Sequence, residues 1–593
     1  MDTLVPHIDS SLVLKKPVLY DSSIIDISWI AQDPQVGVDI NSNTTTRITI
    51  NPTGDFLKPC DSYLYVEGKI TMNDGSAIRP IIRNIWPNVA LQNNFFPFMY
   101  NTMTYTINDI ELENFTAPGQ CTTMYHLLTT RRGFNGLDIG WELDTYDGSV
   151  DYYEIPYNPV QAIVGTNIAN ANADVTQAQM RAFIVIPITR FNQVNEFAPQ
   201  VDQLTAAQIN AIPDPVTPAS ILTAANQIIV QLNYFMHAPI IPSIPIAPVD
   251  IERNTLVTWF NTHLIKPLNE VIYKTTVNKN NYNRGFKTRK DLIFNPVGNV
   301  MPVNNAGNFS FRIPLSWIFN FCEQHKDVMY NCKHEIRLNR TNETTPLLKK
   351  SDDPYGYAVK LTLLRWYMPV VSPSLEVQSN LLSEIDKGLT YDIAFMNKKM
   401  DYINFPVNST KFTYQITYST GIERPRYIIV AFQTIDRAVN GANDKTCYNR
   451  AIFNGTNLDG ANSLMIDLRN VILKVNGKEY QLHDYDNSFN ENRIARWYQA
   501  YKNMKKSLND DFREEDMISF YDFRNLYRLY CFDISKQTEQ LVSVGISNVS
   551  LDFYFNSPPV AQTHTTVNTV YILSLYDRLI KMESGGQRQF TLK

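Results

Sequence analysis

The stretch FSFRIPLSWIFNFCEQHKDVMYNCKH, Phe309–His334, decides how this chain is read. It opens with Phe309, Phe311 and Ile313 alternating with Ser310 and Arg312, the period of a half-buried strand. Pro314 ends that strand. PLSWIFNFCEQH then predicts a short helix, with Pro314 or Leu315 near its first turn and Leu315, Ile318 and Phe319 on one face. Asp327–Leu338 predicts a second strand in which Cys332, His334, Ile336 and Leu338 share a face. Cys322, His325, Cys332 and His334 are also the types that ligate zinc, which takes four of them in a tetrahedron. Their spacing, C-x2-H-x6-C-x-H, is not a common zinc pattern. Thiols acting as small core hydrophobes, with histidines hydrogen-bonded locally, are the simpler account. No metal ligand, cofactor-binding residue or catalytic residue is assigned, and no cofactor is expected.

Strand signals spread outward in both directions. Tyr63, Tyr65, Glu67 and Lys69 alternate with Leu64, Val66, Gly68 and Ile70. TYTINDIELENF, Thr104–Phe115, alternates around Asn108-Asp109, a tight turn or bulge. AFIVIPITRF, 182–191, reads as a buried strand, as does PRYIIVAFQT, Pro425–Thr434. AVKLTLLRWYM, 358–368, leads to Pro369, and SLEVQSNLLSEIDKG, 374–388, is helical and ends in Gly. VILKVNGKEYQL carries Asn476-Gly477 between alternating runs, a strong hairpin signal. Ser488 to Glu491 has the form of a capping box. It precedes a helix with Ile494, Trp497, Tyr498, Tyr501 and Met504 on one stripe. NVSLDFYF, 548–555, alternates throughout, and TVYILSLYD is the last strand, followed by a mobile tail, ESGGQRQFTLK.

Composition agrees with a β-rich chain. Of 593 residues 12% are aromatic, with 33 Tyr and 30 Phe, which suits pleated surfaces. A net charge of −5 argues against a protein that coats nucleic acid. The basic cluster Arg284, Lys287, Arg289 and Lys290 reads as a solvated loop. Six scattered cysteines without a CxxC pair suggest reduced thiols rather than a disulfide scaffold. MDTLVPHIDSSLVLKKP lacks the apolar run of a signal peptide. The most apolar uncharged run, Asn226–Val249, holds four prolines, so no membrane-spanning segment is expected.

The nucleotide-binding, zinc-protease and hydrolase signatures GxxxxGK[ST], GxGxxG, HExxH and GxSxG are absent. Glu514-Glu515-Asp516 and Asp352-Asp353 lie in turn-like contexts and read as solvated carboxylates. The chain is therefore expected not to be an enzyme. The expected fold is all-β: two consecutive antiparallel eight-stranded jelly-roll barrels with long loop insertions and a few short helices. Residues 1–45 form an N-terminal arm in this reading and 46–372 the first jelly roll, with a low-charge insertion near 154–250. A connecting helix occupies 373–390, the second jelly roll 391–582, and the tail 583–593.

With these elements placed, the chain resembles the double jelly-roll major capsid proteins of virophages, Polinton-like viruses and adintovirus-like elements. IPLS (Ile313–Ser316) with Ile318-Phe319, Val328, Tyr330 and Lys333-His334, then RLNRTN (Arg337–Asn342), resemble the end of the family's first barrel. LRWYMP (Leu364–Pro369) resembles the strand leading to the inter-barrel connection. RPRYIIVAFQ (Arg424–Gln433), Asn470-Val471, Tyr480, DISKQ (Asp533–Gln537) and YDR (Tyr576–Arg578) resemble the second barrel. The resemblance covers residues 300 to 580; before that only strand layout and length match. It implies a homotrimer forming a pseudo-hexagonal capsomer that tiles an icosahedral shell. The implied partners are the chain itself, neighbouring trimers, and penton and minor capsid proteins. The shell would enclose double-stranded DNA without specific binding and assemble inside the infected host cell. The alternative is a β-sandwich carbohydrate-binding protein or glycosidase.

Overall fold

The computed structural model describes residues 23–35, 39–42, 45–78, 89–131, 133–144, 284–294, 306–341, 345–349, 355–387, 391–406, 410–417, 424–434, 448, 468–480, 486–489, 491–508, 518–535, 548–556, 567–582 and 590–592. The expected buried strand at 182–191, the low-charge insertion, the apolar run at 226–249 and both carboxylate groups lie outside them.

The first half runs β1 (Ile24–Gln32), β2 (Thr45–Ile50), β3 (Phe56–Leu57), β4 (Tyr63–Met72), β5 (Val89–Leu91), α1 (Phe95–Phe98), β6 (Tyr100–Ile107), β7 (Ile110–Thr116), α2 (Pro118–Thr129), α3 (Arg284–Phe294), β8 (Asn308–Pro314), α4 (Leu315–Ile318), α5 (Asn320–Gln324), β9 (Met329–Tyr330), β10 (His334–Arg340), β11 (Leu347–Lys349) and β12 (Tyr357–Pro373). Helix α6 (Leu375–Asp386) leads into β13 (Tyr391–Pro406), β14 (Lys411–Thr417), β15 (Arg424–Thr434), β16 (Leu468–Val475), β17 (Lys478–Glu479), α7 (Ala495–Leu508), α8 (Phe520–Asn525), β18 (Tyr530–Asp533), β19 (Asn548–Phe555), β20 (Val567–Met582) and β21 (Phe590–Leu592).

The sheets show why this is a jelly roll twice over. In the first half one sheet runs β8-β4-β12, with β1 on the other side of β12, and the second runs β2-β10-β6-β7. In the second half the orders are β13-β20-β15-β18 and β14-β19-β16-β17. With β3, β5, β9, β11 and β21 set aside and the eight remaining strands of each half numbered in sequence, both halves give 1-8-3-6 over 2-7-4-5. Successive strands swap sheets except at the 4–5 hairpin, which is the wrapping of two Greek keys. Strands β3, β5, β9, β11 and β21, of two or three residues each, are additions to this plan.

Ile24–Gln32, inside the stretch read as an arm, is a strand that pairs with β12, Gln32 standing opposite Trp366. In the expected tail, Phe590–Leu592 pairs with Ile580–Met582. Helix α6 falls where a connector was expected; the Ser374 hydroxyl accepts from the Val377 N–H as its N-cap.

Alternation becomes burial as expected. Leu64, Val66 and Ile70 of β4 are fully buried, as are Val549, Leu551 and Phe553 of β19. Each such side chain contributes about 1.5–3 kcal/mol. Half-exposed ion pairs such as Arg426–Asp577 contribute about 0–1 kcal/mol, so the apolar interior holds the barrels together. Turns follow residue chemistry: Asn108 and Asp109 (φ 47° and 65°) join β6 to β7, and Asn476 and Gly477 (φ 49° and 80°) join β16 to β17.

The opening stretch is more broken than its pattern suggests. The single expected helix is two short ones, because Phe319 turns extended (φ −111°, ψ 123°) and packs its ring against Tyr105 and Phe115. The single expected strand is also two. Asn331 (φ 50°) lets the chain leave one sheet at β9 and enter the other at β10. The Ser488–Glu491 box forms a turn rather than a helix start. Ser488 Oγ accepts from the Glu491 N–H, but the Glu491 carboxylate pairs with Arg493 and the helix begins at Ala495.

The basic cluster is a further correction. It is helix α3, not a solvated loop, and Arg289 and Lys290 are only 3% and 7% exposed. Arg289 donates to Leu91 O, Glu142 O and the buried Asp144 carboxylate, while Phe286, Ile293 and Phe294 face inward. The helical spacing of those apolar residues, rather than the charge count, was the informative signal.

Candidate functional site at the junction of the barrels

The Cys322, His325, Cys332 and His334 group does not form a ligand set. His334 is fully buried, and its Nδ1 lies 2.8 Å from the Tyr105 hydroxyl. Burial drives its pKa down to about 3. His325 stacks on Phe321 and is also pushed down by burial. Burial pushes the Cys322 thiol well up, and the Cys332 Sγ lies 3.4 Å from Tyr330 O. Among the described residues no group of three or more His, Cys, Asp or Glu is placed to hold a metal ion. The five described cysteines, Cys60, Cys121, Cys322, Cys332 and Cys531, are buried free thiols.

The same stretch instead builds the contact between the barrels. Helix α2 is buried from Pro118 to Leu128 and crosses the junction. Its Gln120 bonds Gln433 at 3.2 Å and accepts from the Tyr448 hydroxyl at 3.0 Å. From α7, the Tyr501 hydroxyl donates to Leu127 O and Lys505 Nζ to Thr130 O. His126 Nε2 lies 2.7 Å from Trp317 O, so that nitrogen carries the proton; burial holds the ring's pKa at about 3.

At the centre lies the corner between α4 and α5. Glu113 of β7, fully buried, accepts from the backbone N–H groups of Asn320 and Phe321. Lys398 of β13, 1% exposed, donates to Ile318 O and to Asn320 Oδ1 at 2.9 Å. Its ammonium sits 5.0 Å from the Phe115 ring and 5.2 Å from the Tyr125 ring. Asn320 Nδ2 returns a bond to Met396 O, Asn397 bonds Leu112 O and the Tyr576 hydroxyl, and Gln324 accepts from the Met396 N–H. Burial raises the Glu113 carboxyl; Lys398 and the two N–H donors oppose it.

The sequence did not single out Glu113 or Lys398, which are 285 positions apart on strands that each look ordinary. The surface differs from this interior. Ile25 and Ile27 of β1 are 70% and 50% exposed, Trp29 is 46% exposed, and helix α6 buries no residue, with Leu375 82% exposed. Among the described residues no helix is long and apolar enough to cross a membrane.

Comparisons with known proteins bear on this architecture. A family model described as a double jelly roll-like domain matches residues 269–580. No curated protein matches the sequence. Among solved structures, the Sputnik virophage by cryo-EM is similar at 11% identity, covering 99% of this chain and 93% of that one, with a TM-score of 0.45. The mavirus major capsid protein is similar at 9% identity, covering 100% and 96%, with a TM-score of 0.45. The Faustovirus major capsid protein is similar at 9%, covering 98% and 93%, with a TM-score of 0.43.

Proposed function

Since the chain belongs to the double jelly roll-like domain family, we propose that it is the major capsid protein of a small double-stranded DNA virus. It homotrimerises into pseudo-hexagonal capsomers that tile an icosahedral shell. The observation that carries this is the repeated strand order: one chain holds two barrels of the same topology, clamped side by side through a buried junction. Three chains would then present six similar walls, which is how a threefold object fills a hexagonal lattice.

The exposed apolar side chains of β1 support self-association, because a free monomer rarely leaves a row of Ile and Trp in water. The role is structural rather than catalytic. The partners are neighbouring trimers and penton and minor capsid proteins, the location is the virion capsid after assembly in the host cell, and DNA is enclosed without being gripped. The domain plan is a first jelly roll from β1 to β12, the connector α6, and a second jelly roll from β13 to β20.

The test is the mass of purified protein by light scattering, with negative-stain images of the same peak. The expected result is three times the 68.1 kDa chain mass and a hexagonal outline. A clean monomer at high concentration would overturn the reading and turn attention to glycan binding.

A further inference from the structure

Lys398 belongs to the second barrel, yet the groups it bonds, Ile318 O and Asn320 Oδ1, belong to the first. The physical reason lies in the corner. Helix α4 is one turn long and stops at Phe319, so its last carbonyl has no partner within the helix, and the first N–H groups of α5 have none either. Glu113 supplies the missing acceptor from inside the first barrel. Lys398 supplies the missing donor from outside it.

We propose that Lys398 is a positioning residue that locks the barrels together: its ammonium, reaching in from the second barrel, closes the α4–α5 corner by bonding Ile318 O and Asn320 Oδ1, so the corner is complete only when the second barrel is seated.

The groups that feel this ammonium are Glu113 of β7, Cys121 and His126 of α2, and Cys322 and Glu323 of α5; Tyr125 of α2 lies under it. Arg578 of β20 also acts on Glu113, and Lys326 on Glu323. Burial pushes the thiols and Tyr125 up and His126 down, so these four stay neutral through the middle of the pH range. Only Glu113 and Glu323 are left to change charge. Burial raises both and Lys398 lowers both. Removing the ammonium exposes both carboxyls to more of the cost of burial, which is felt when they are ionised and relieved when they are protonated. The damage must therefore grow as pH rises. Loss of packing alone carries no such dependence.

The experiment uses the full chain and hydrogen exchange at the Phe319–Glu323 amides, corrected for intrinsic rates, at mildly acidic and mildly alkaline pH. K398M is expected to speed exchange on the order of a hundredfold at the alkaline pH and far less at the acidic one. K398R should restore most of the protection. An equal effect of K398M at both pH values, or none, overturns the proposal. Should K398M fail to fold, E113Q is compared with E113Q/K398M. The lock requires the double variant to lose protection relative to E113Q, more at the alkaline pH because Glu323 is still left without its ammonium; equal protection in the two overturns it.

Discussion

His126 and His334 set how this molecule meets acid. Both are neutral and buried, with pKa values near 3 where an ordinary imidazole titrates near 6.5. A depressed histidine binds fewer protons folded than unfolded, so its contribution is whole above the ordinary value and is lost as pH falls toward the folded one. Each costs about 1.4 kcal/mol per pH unit in that window, so the pair costs about 4 kcal/mol by pH 5. Glu113, Glu323 and Asp401, raised by burial, work in the opposite sense and recover part of this as they protonate. Urea midpoints followed from neutral pH downward should fall below about pH 6.5. In H334Q, which keeps a polar partner for Tyr105 but cannot ionise, that slope should be about halved. An unchanged slope would show that His334 takes up its proton without opening the core.

Glycines separate two kinds of cost at the level of elements. Gly477 turns the β16–β17 hairpin at φ +80° with nothing within 4 Å of an added Cβ, so G477A should cost about 1–2 kcal/mol, all of it backbone conformation. Gly68 sits inside β4, where an added Cβ would lie 2.4 Å from the Phe309 ring and 2.8 Å from Lys360 O. The neighbouring strand cannot yield as a loop does, so G68A should cost more, about 1–3 kcal/mol plus lost pairing, with the ranking read from urea unfolding. The elements also show what a sequence can reveal. Strands β4, β15 and β19 and both hairpins were legible because alternation and Asn/Gly turn chemistry are local. The breaks at Phe319 and Asn331 were not, because each serves a contact with a remote strand. The start of α7 was misplaced because the Ser488 hydroxyl caps a turn as well as it would a helix. The junction was invisible for the same reason: nothing near Lys398 in the sequence tells that its ammonium enters the other barrel.

On the scale of the whole molecule, one continuous apolar core runs from Ile48 of β2 to Ile580 of β20. Full-length protein should therefore melt in a single calorimetric transition, and two resolved transitions would show that the barrels are energetically separate. Added salt should move that transition little, since surface pairs such as Arg365–Asp33 are partly exposed. The buried thiols give this architecture a practical use. Thiolate is the species that alkylating reagents attack, and burial pushes Cys121 up to about 12 and Cys322 and Cys531 well above the ordinary range. Cys322 and Cys332 lie in the first barrel, Cys121 at the junction and Cys531 in the second. Each is a natural reporter that stays silent until its own neighbourhood opens. Mass spectrometry of which cysteine is alkylated first would time the opening of the chain, one region after another, with no engineered label.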